Sequence, residues 1–234
     1  MSTSRKPPAA APAVTRERVS PATYDADYFE RGPILGISGY MNYRWMPELT
    51  IRMAHKLVVE LPIGPRESVL DFGCAKGFLV KALRILDIDA SGVDVSEYAI
   101  AHADGEVRDA CRHVRGIDDP AIFARDYDWM LAKDVFEHLL VDELQVLLQR
   151  AHDHVRKLFV AVPLAADDQC GTYIVPQYDH DITHRLAKSM GWWTGLFNQD
   201  GWRVVRVSHE FPGCKENWTK TWAKANGFFI VERR

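Results

Sequence analysis

Ser68-Val69-Leu70-Asp71-Phe72-Gly73-Cys74-Ala75-Lys76-Gly77-Phe78-Leu79 is the stretch on which the fold turns. Val69 and Leu70 suit a short buried strand. Phe78, Leu79, Ala82, Leu83 and Leu86 then recur at the spacing of one helix face. The turn between them carries two glycines and a carboxylate. Glycine has no Cβ, so its backbone N–H can approach a ligand closely. Strand, glycine turn and helix N-terminus in this order begin the nucleotide-binding half of an open α/β sheet.

The same turn selects the ligand. A dinucleotide fingerprint needs G-x-G-x-x-G after the strand. Here the spacing is G-x-x-x-G, from Gly73 to Gly77, and Asp71 precedes it. A carboxylate at that point repels a pyrophosphate and welcomes an ammonium group. A second acid, Asp94, closes the apolar run from Ile88 to Val93, where a carboxylate accepts hydrogen bonds from ribose hydroxyls. One acid for an amine and one for a ribose fit S-adenosylmethionine (SAM) better than NAD.

Val69-Leu70-Asp71-Phe72-Gly73-Cys74-Ala75-Lys76-Gly77 resembles motif I of the class I SAM-dependent methyltransferases. Asp94 falls at that family's acidic ribose position. Lys133-Asp134-Val135-Phe136-Glu137-His138-Leu139 is similar to its D-V-x-E-H-L segment after the fourth strand. The resemblance runs from near Leu61 to the C-terminus. It implies a Rossmann-like, doubly wound α/β sheet of seven strands, mostly parallel with the last antiparallel, and a methyltransferase that uses SAM. It also implies a cofactor site made of Asp71, Gly73, Cys74, Ala75, Gly77, Asp94 and Val95, with Lys133, Asp134 and Val135 after the fourth strand. In that family an acid after the third strand commonly faces the adenine amino group, beside an apolar residue that packs on the ring. Ile117 and Asp118 match these positions, though the acids here also suit the cap of a helix at Pro120. The sequence departs from the family at Ala75-Lys76, where a third glycine is common. Lys76 must point away from the sulfonium, or the pocket differs.

The 234 residues are 47% hydrophobic and 11% aromatic, enough to fill the core of one domain with an appendage. A net charge of −3 gives no reason for a nucleic-acid partner. No apolar run reaches the length of a membrane span. Cys74, Cys111, Cys170 and Cys214 are scattered without a C-x-x-C pair. This argues against a disulfide framework and fits a reducing cytoplasm.

Three segments are expected. Residues 1–22, rich in Pro, Ala, Ser and Arg, read as a disordered tail. Residues 23–61 read as an N-terminal lid or helical segment, and residues 62–234 as the methyltransferase domain. In the lid, Tyr24, Tyr28, Phe29, Tyr40, Tyr43 and Trp45 lie among Gly32, Gly36 and Gly39. Aromatics among glycines suggest irregular chain buried against something. It either folds over the ligand or packs on the sheet flank. A helix follows from Pro47 to Leu61. Further strands are expected over 112–115, 129–132, 158–162, 202–207 and 228–231, with helices over 97–103, 141–155 and 186–198. The long polar run from Leu164 to His184 is expected to lie over the active-site edge.

In-line methyl transfer to a hydroxyl requires the hydroxyl proton to leave, and a histidine is the natural acceptor. His138, His180 and His184 are the candidates. Tyr28, Tyr40, Tyr43, Tyr178, Asp181 and Trp192 are candidates for substrate contact. Asp134, Glu137 and His138 also resemble the metal-binding E-x-x-E-H of ubiquinone-biosynthesis O-methyltransferases. Most relatives with this segment need no metal, and none is expected. The late Asp181-Ile182-Thr183-His184 followed by Trp192-Trp193 looks like methyltransferases of sugars in bacterial surface-glycan or natural-product pathways. The expected partner is thus a small-molecule acceptor, a sugar or nucleotide sugar, in a chain that can form a homodimer. A small-molecule natural-product O- or N-methyltransferase and a non-catalytic SAM-binding module are the alternatives.

Overall fold

The computed structural model describes residues 17–199 and 201–234. Two short helices, α1 (Ala26–Glu30) and α2 (Gly32–Leu35), precede the long helix α3 (Pro47–Glu60), which has its proline in the first turn. Strands and helices then alternate as β1 (Ser68–Phe72), α4 (Phe78–Ile85), β2 (Asp89–Asp94), α5 (Glu97–Ala101), β3 (Cys111–His113), β4 (Tyr127–Lys133), α6 (Val141–His154) and β5 (Val155–Pro163). The chain ends with α7 (Met190–Phe197), β6 (Trp202–Ser208), α8 (Glu216–Thr221) and β7 (Asn226–Arg233). Among the described residues no helix is long and apolar enough to cross a membrane.

The seven strands lie in the order β3-β2-β1-β4-β5-β7-β6. All pairings from β3 to β5 are parallel, and β7 runs antiparallel to both β5 and β6. Both faces of the central strands are covered, which is why they read as continuous apolar runs. Leu70, Met130 and Leu158 pack with Leu144, Leu147 and Leu148 of α6 on one face. Val69, Leu131 and Phe159 pack with Leu57 of α3 and Val80 and Leu83 of α4 on the other. β1 and β4 are neighbours although the chain winds away from β1 in one direction and returns on the other side. A crevice opens beyond the carboxyl ends of strands at such a switch in order.

Three local expectations need correction. The helix expected from Leu186 begins only at Met190, because the Ser189 hydroxyl caps it by accepting from the Trp192 N–H at 3.2 Å. The third strand is Cys111–His113, one step earlier in sequence than expected. The expected tail over residues 1–22 lies outside the described residues as far as residue 16. Its last six residues are ordered: Arg185 Nε donates to the Glu17 carbonyl at 2.9 Å, and Arg18 forms an ion pair with Glu143.

The lid lies over the crevice. Tyr24, Tyr28, Phe29 and Tyr40 form part of its wall. Lys76, the residue that departs from the glycine pattern, turns away from the crevice and into the lid. Its ammonium donates to Glu30 Oε1 at 2.5 Å and to the Tyr43 carbonyl at 3.0 Å, and lies 5.5 Å from the Tyr98 ring centroid.

Candidate active site

The loop after β1 makes the floor of the crevice. Gly73, Ala75 and Gly77 all have left-handed backbone, with φ of +81°, +48° and +74°. Glycine adopts this region without the steric cost that a side chain brings. A Cβ at Gly73 would stand 2.4 Å from Val135 Cγ2, so the loop touches the segment after β4. The Gly73 and Cys74 N–H groups both donate to the Val93 carbonyl. Cys74 turns its side chain inward against Gly92 and away from the crevice.

Asp94, at the end of β2, holds this loop in place. Its carboxylate accepts from the Ala75 N–H and the Ser96 N–H, each at 2.7 Å. Burial raises its pKa against the pull of these donors. Asp71 lies behind Gly73, 4% exposed. Burial pushes its carboxyl up to about 7; Lys133 opposes this and Asp94 adds to it. The crevice contains about 1030 Å³ of space including its open mouth, on the scale of small-molecule sites, roughly 300–1000 Å³. Val95, Val114, Ile117 and Ile122 make an apolar wall near β3, and Asp134, Val135 and His138 form the opposite side.

At the end of β4 the backbone of Asp134 is left-handed, with φ +58°. Lys133 Nζ donates to Asp134 Oδ2 at 2.6 Å, and Lys215 pairs with the other oxygen. Burial alone would raise the Asp134 pKa, but the two lysines hold it well below the carboxylate range. Glu137 is 1% exposed, and its Oε2 has no hydrogen-bond partner among the described residues. Burial, with Asp134 adding, pushes its carboxyl well above the usual range.

His138 is held by a network whose proton positions can be assigned from its chemistry. Tyr28 donates its hydroxyl to Asp181 Oδ2 at 2.9 Å. The Thr183 hydroxyl donates to Asp181 Oδ1 at 2.5 Å. With its only hydrogen so used, Thr183 Oγ1 accepts from His138 Nδ1, 2.8 Å away. His138 therefore carries its proton on Nδ1 and leaves Nε2 bare. His184 stands beside it, with ring centroids 4.7 Å apart, and its Nδ1 donates to the Tyr178 carbonyl at 2.7 Å. Its Nε2 therefore carries no hydrogen and lies 4.0 Å from Asp181 Oδ2, beyond hydrogen-bond distance. Burial first, and then His184, lower the His138 pKa to about 3, so both rings are neutral near pH 7.

The structure brings together on the crevice wall Tyr28, Tyr40, Gly73, Ala75, Asp94, Val95, Ile117, Asp134, Val135 and His138. Asp181 and His184 stand one layer behind, through Tyr28, Thr183 and His138. Gly77 packs closely against Cys111, and Lys133 is spent on Asp134. Other expected contacts lie off this wall. His180 is exposed and away from the crevice. Asp118 is also exposed; its neighbour Asp119 caps the turn at Pro120 by accepting from Ala121 at 2.9 Å. Trp192 packs against Trp193 on α7. Tyr178 stacks on Trp218 and accepts from Lys215 at 3.0 Å, outside the wall. Tyr43 likewise faces Phe78 of α4, off the wall. Sequence reasoning missed Tyr24, Thr183 and Lys215. Tyr24 stood in the aromatic run and Thr183 between two candidates, but nothing in the sequence placed Lys215 opposite Asp134.

The residues fit SAM. An acid stands where a ribose would lie, an apolar wall stands where a base would lie, and the loop's own cation, Lys76, is turned into the lid and away from any pyrophosphate. A family model described as a methyltransferase domain, Methyltransf_23, matches residues 40–215. A search of curated proteins finds no match. Among solved structures, the chain is similar to a SAM-dependent methyltransferase from Archaeoglobus fulgidus, with TM-score 0.61 and 15% identity over 80% of this chain and 97% of that one. It is also similar to magnesium protoporphyrin IX methyltransferase from Synechocystis PCC 6803 with bound S-adenosylhomocysteine (SAH), with TM-score 0.58 and 16% identity over 91% and 97%. A third is the mitomycin 7-O-methyltransferase MmcR, with TM-score 0.56 and 16% identity; 79% of this chain is covered, but only 54% of that longer one. Motif order, crevice chemistry and a family match over most of the sequence agree: the chain belongs to the class I SAM-dependent methyltransferases, with SAM as its cofactor.

Proposed function

We propose that this methyltransferase O-methylates a sugar, a nucleotide sugar or a glycan precursor, with the His138–His184 pair assisting loss of the hydroxyl proton. The observation that carries the reading is the bare Nε2 of His138 at a crevice wall that also presents Tyr24 and Tyr40. Bound SAM supplies an electrophilic methyl group on its sulfonium, so the protein's task is mainly alignment. Asp94 receives the ribose hydroxyls, Val95 and Ile117 flank the adenine, and the ammonium group favours the ionised form of Asp71, whose burial otherwise raises its carboxyl to about 7. Burial keeps the phenols of Tyr24, Tyr28 and Tyr40 protonated. They therefore act through hydrogen bonds and ring faces, not as bases. The Tyr28 hydroxyl is already spent on Asp181, which makes Tyr28 a positioning residue.

A second reading has one observation in its favour. Phe29, Phe72, Val95, Val114 and Leu139 give the crevice a largely apolar lining, which suits a natural-product scaffold such as those implied by the names of MmcR and of CalO1, a methyltransferase in calicheamicin biosynthesis. The test is calorimetric binding of SAH, then transfer from methyl-labelled SAM to a panel of sugars, nucleotide sugars and phenolic scaffolds, with products assigned by NMR. An O-methyl sugar is the expected product. Transfer only to phenols or amines would overturn the sugar assignment. SAH binding without transfer to any acceptor would make the chain a binding module.

A further inference from the structure

We propose that Glu137, His138 and His184 form a binding site for a divalent transition-metal ion of the Zn²⁺ class. One donor atom from each of the three lies within 4.8 Å of the others. The proton assignments make this convergence unusual. Asp181 takes the Thr183 hydrogen, so His138 has its proton on Nδ1; the Tyr178 carbonyl fixes the same tautomer in His184. Each ring is left with Nε2 as its free acceptor. Glu137 Oε2 is a third acceptor, almost fully buried and without a donor among the described residues. The nearby cations do not meet this need: Lys133 donates to Asp134, and Lys215 is spent on Asp134 and Tyr178. With Glu137 ionised, three acceptors face one another without a donor, and a cation between them meets all three.

The donor set also chooses the ion. Two imidazole nitrogens and one carboxylate suit Zn²⁺, Fe²⁺ or Co²⁺, whereas Mg²⁺ prefers all-oxygen ligation. The second layer matches what ligating histidines require, since each Nδ1–H is anchored by an oxygen. Asp134 is left out of the set because its oxygens are held by the two lysines.

The site itself does not depend on the proposed acceptor; its catalytic consequence does rest on methyl transfer to a hydroxyl. With an ion held by both Nε2 atoms neither ring can take a proton, so in the loaded protein the ion replaces the histidine-assisted route: it draws electron density from the acceptor hydroxyl, whose proton leaves to solvent. The oxygen's electron pair then forms the bond to the methyl carbon, and the pair of the broken C–S bond stays on sulfur.

The experiment titrates chelator-stripped protein with Zn²⁺ by calorimetry, with Co²⁺ absorption as a second reading and SAH binding measured on the same samples. One ion per chain is expected in the natural protein and in His180→Ala. Loss of that ion is expected in His184→Ala and Glu137→Gln, with circular dichroism and SAH affinity unchanged. No uptake by the natural protein, or equal uptake by His184→Ala, would overturn the site and leave a proton on Glu137 as the filler. Uptake without any gain in turnover over stripped protein would overturn the catalytic role alone. Failure of SAH binding would strike the methyl-transfer reading and leave the ion untouched.

Discussion

Replacing Lys76 with methionine should loosen the lid while sparing the sheet. Methionine keeps the apolar stem of the lysine but removes its charge and donors. Lys76 is 9% exposed, and its partner Glu30 has a side chain 27% exposed, so water only partly compensates the loss. A hydrogen bond between charged groups contributes about 1.5–3 kcal/mol, and the Tyr43 carbonyl also loses its donor at 3.0 Å. The expected cost to lid closure is about 2 kcal/mol, or roughly a 30-fold rise in the open population. Native-state hydrogen exchange reads this directly, because local opening has its own free energy. Amides of α1 and of residues 40–45 should exchange faster by that factor, with β1, β4 and β5 unchanged. A double-mutant cycle with Glu30→Gln should return a coupling above about 0.5 kcal/mol. Unaltered exchange in the lid, or a coupling near zero, would refute the idea that Lys76 ties loop to lid.

Three further outcomes are expected. Asp71→Asn tests the buried acid: a carboxyl raised from 3.8 to about 7 binds its proton more tightly in the folded state, so the natural protein loses stability as pH rises through that window. Thermal melts should show the variant's advantage growing from pH 4 to pH 8, and parallel curves would count against it. Asp94→Ala should weaken SAH binding by about 1–3 kcal/mol, the scale of a lost charged hydrogen bond; unchanged calorimetric affinity would remove Asp94 from the cofactor site. Gly73→Ala should destabilise the fold by about 2–4 kcal/mol, from left-handed strain plus the collision with Val135. Adding Val135→Ala should recover the steric part in chemical denaturation, and no recovery would mean that strain alone acts.

The loop, Asp94 and the β4 segment were legible because local chemistry fixes them. A strand must end, a turn needs glycine, and an acid at a strand's end has one crevice to face. The departure at Lys76 was legible too, since a cation beside a sulfonium had to turn elsewhere. The histidines were harder. His180 and His184 share one polar loop in sequence, and only the turn at Pro176–His180 leaves the first in solvent while the Tyr178 carbonyl draws the second inward. Trp192 failed for a related reason: an indole on a helix packs wherever the helix meets the sheet, and the start of that helix was set by Ser189, not by the apolar run. Lys215 belongs to a segment with no periodic signal, so its approach to Asp134 arises only from tertiary packing.

The N-terminal part of the crevice wall is pinned from behind by a loop far away in sequence. Tyr28 meets Asp181 across 153 positions, and Arg185 meets Glu17 across 168. Loops of that length close late in folding, after the nearer contacts have formed. During synthesis the tyrosines emerge well before the loop that pins them, which follows β5. A chain that has released only β1–β4 therefore still lacks the partners that fix Glu17 and Tyr28, and the step that completes this wall is the docking of residues 181–185 against them.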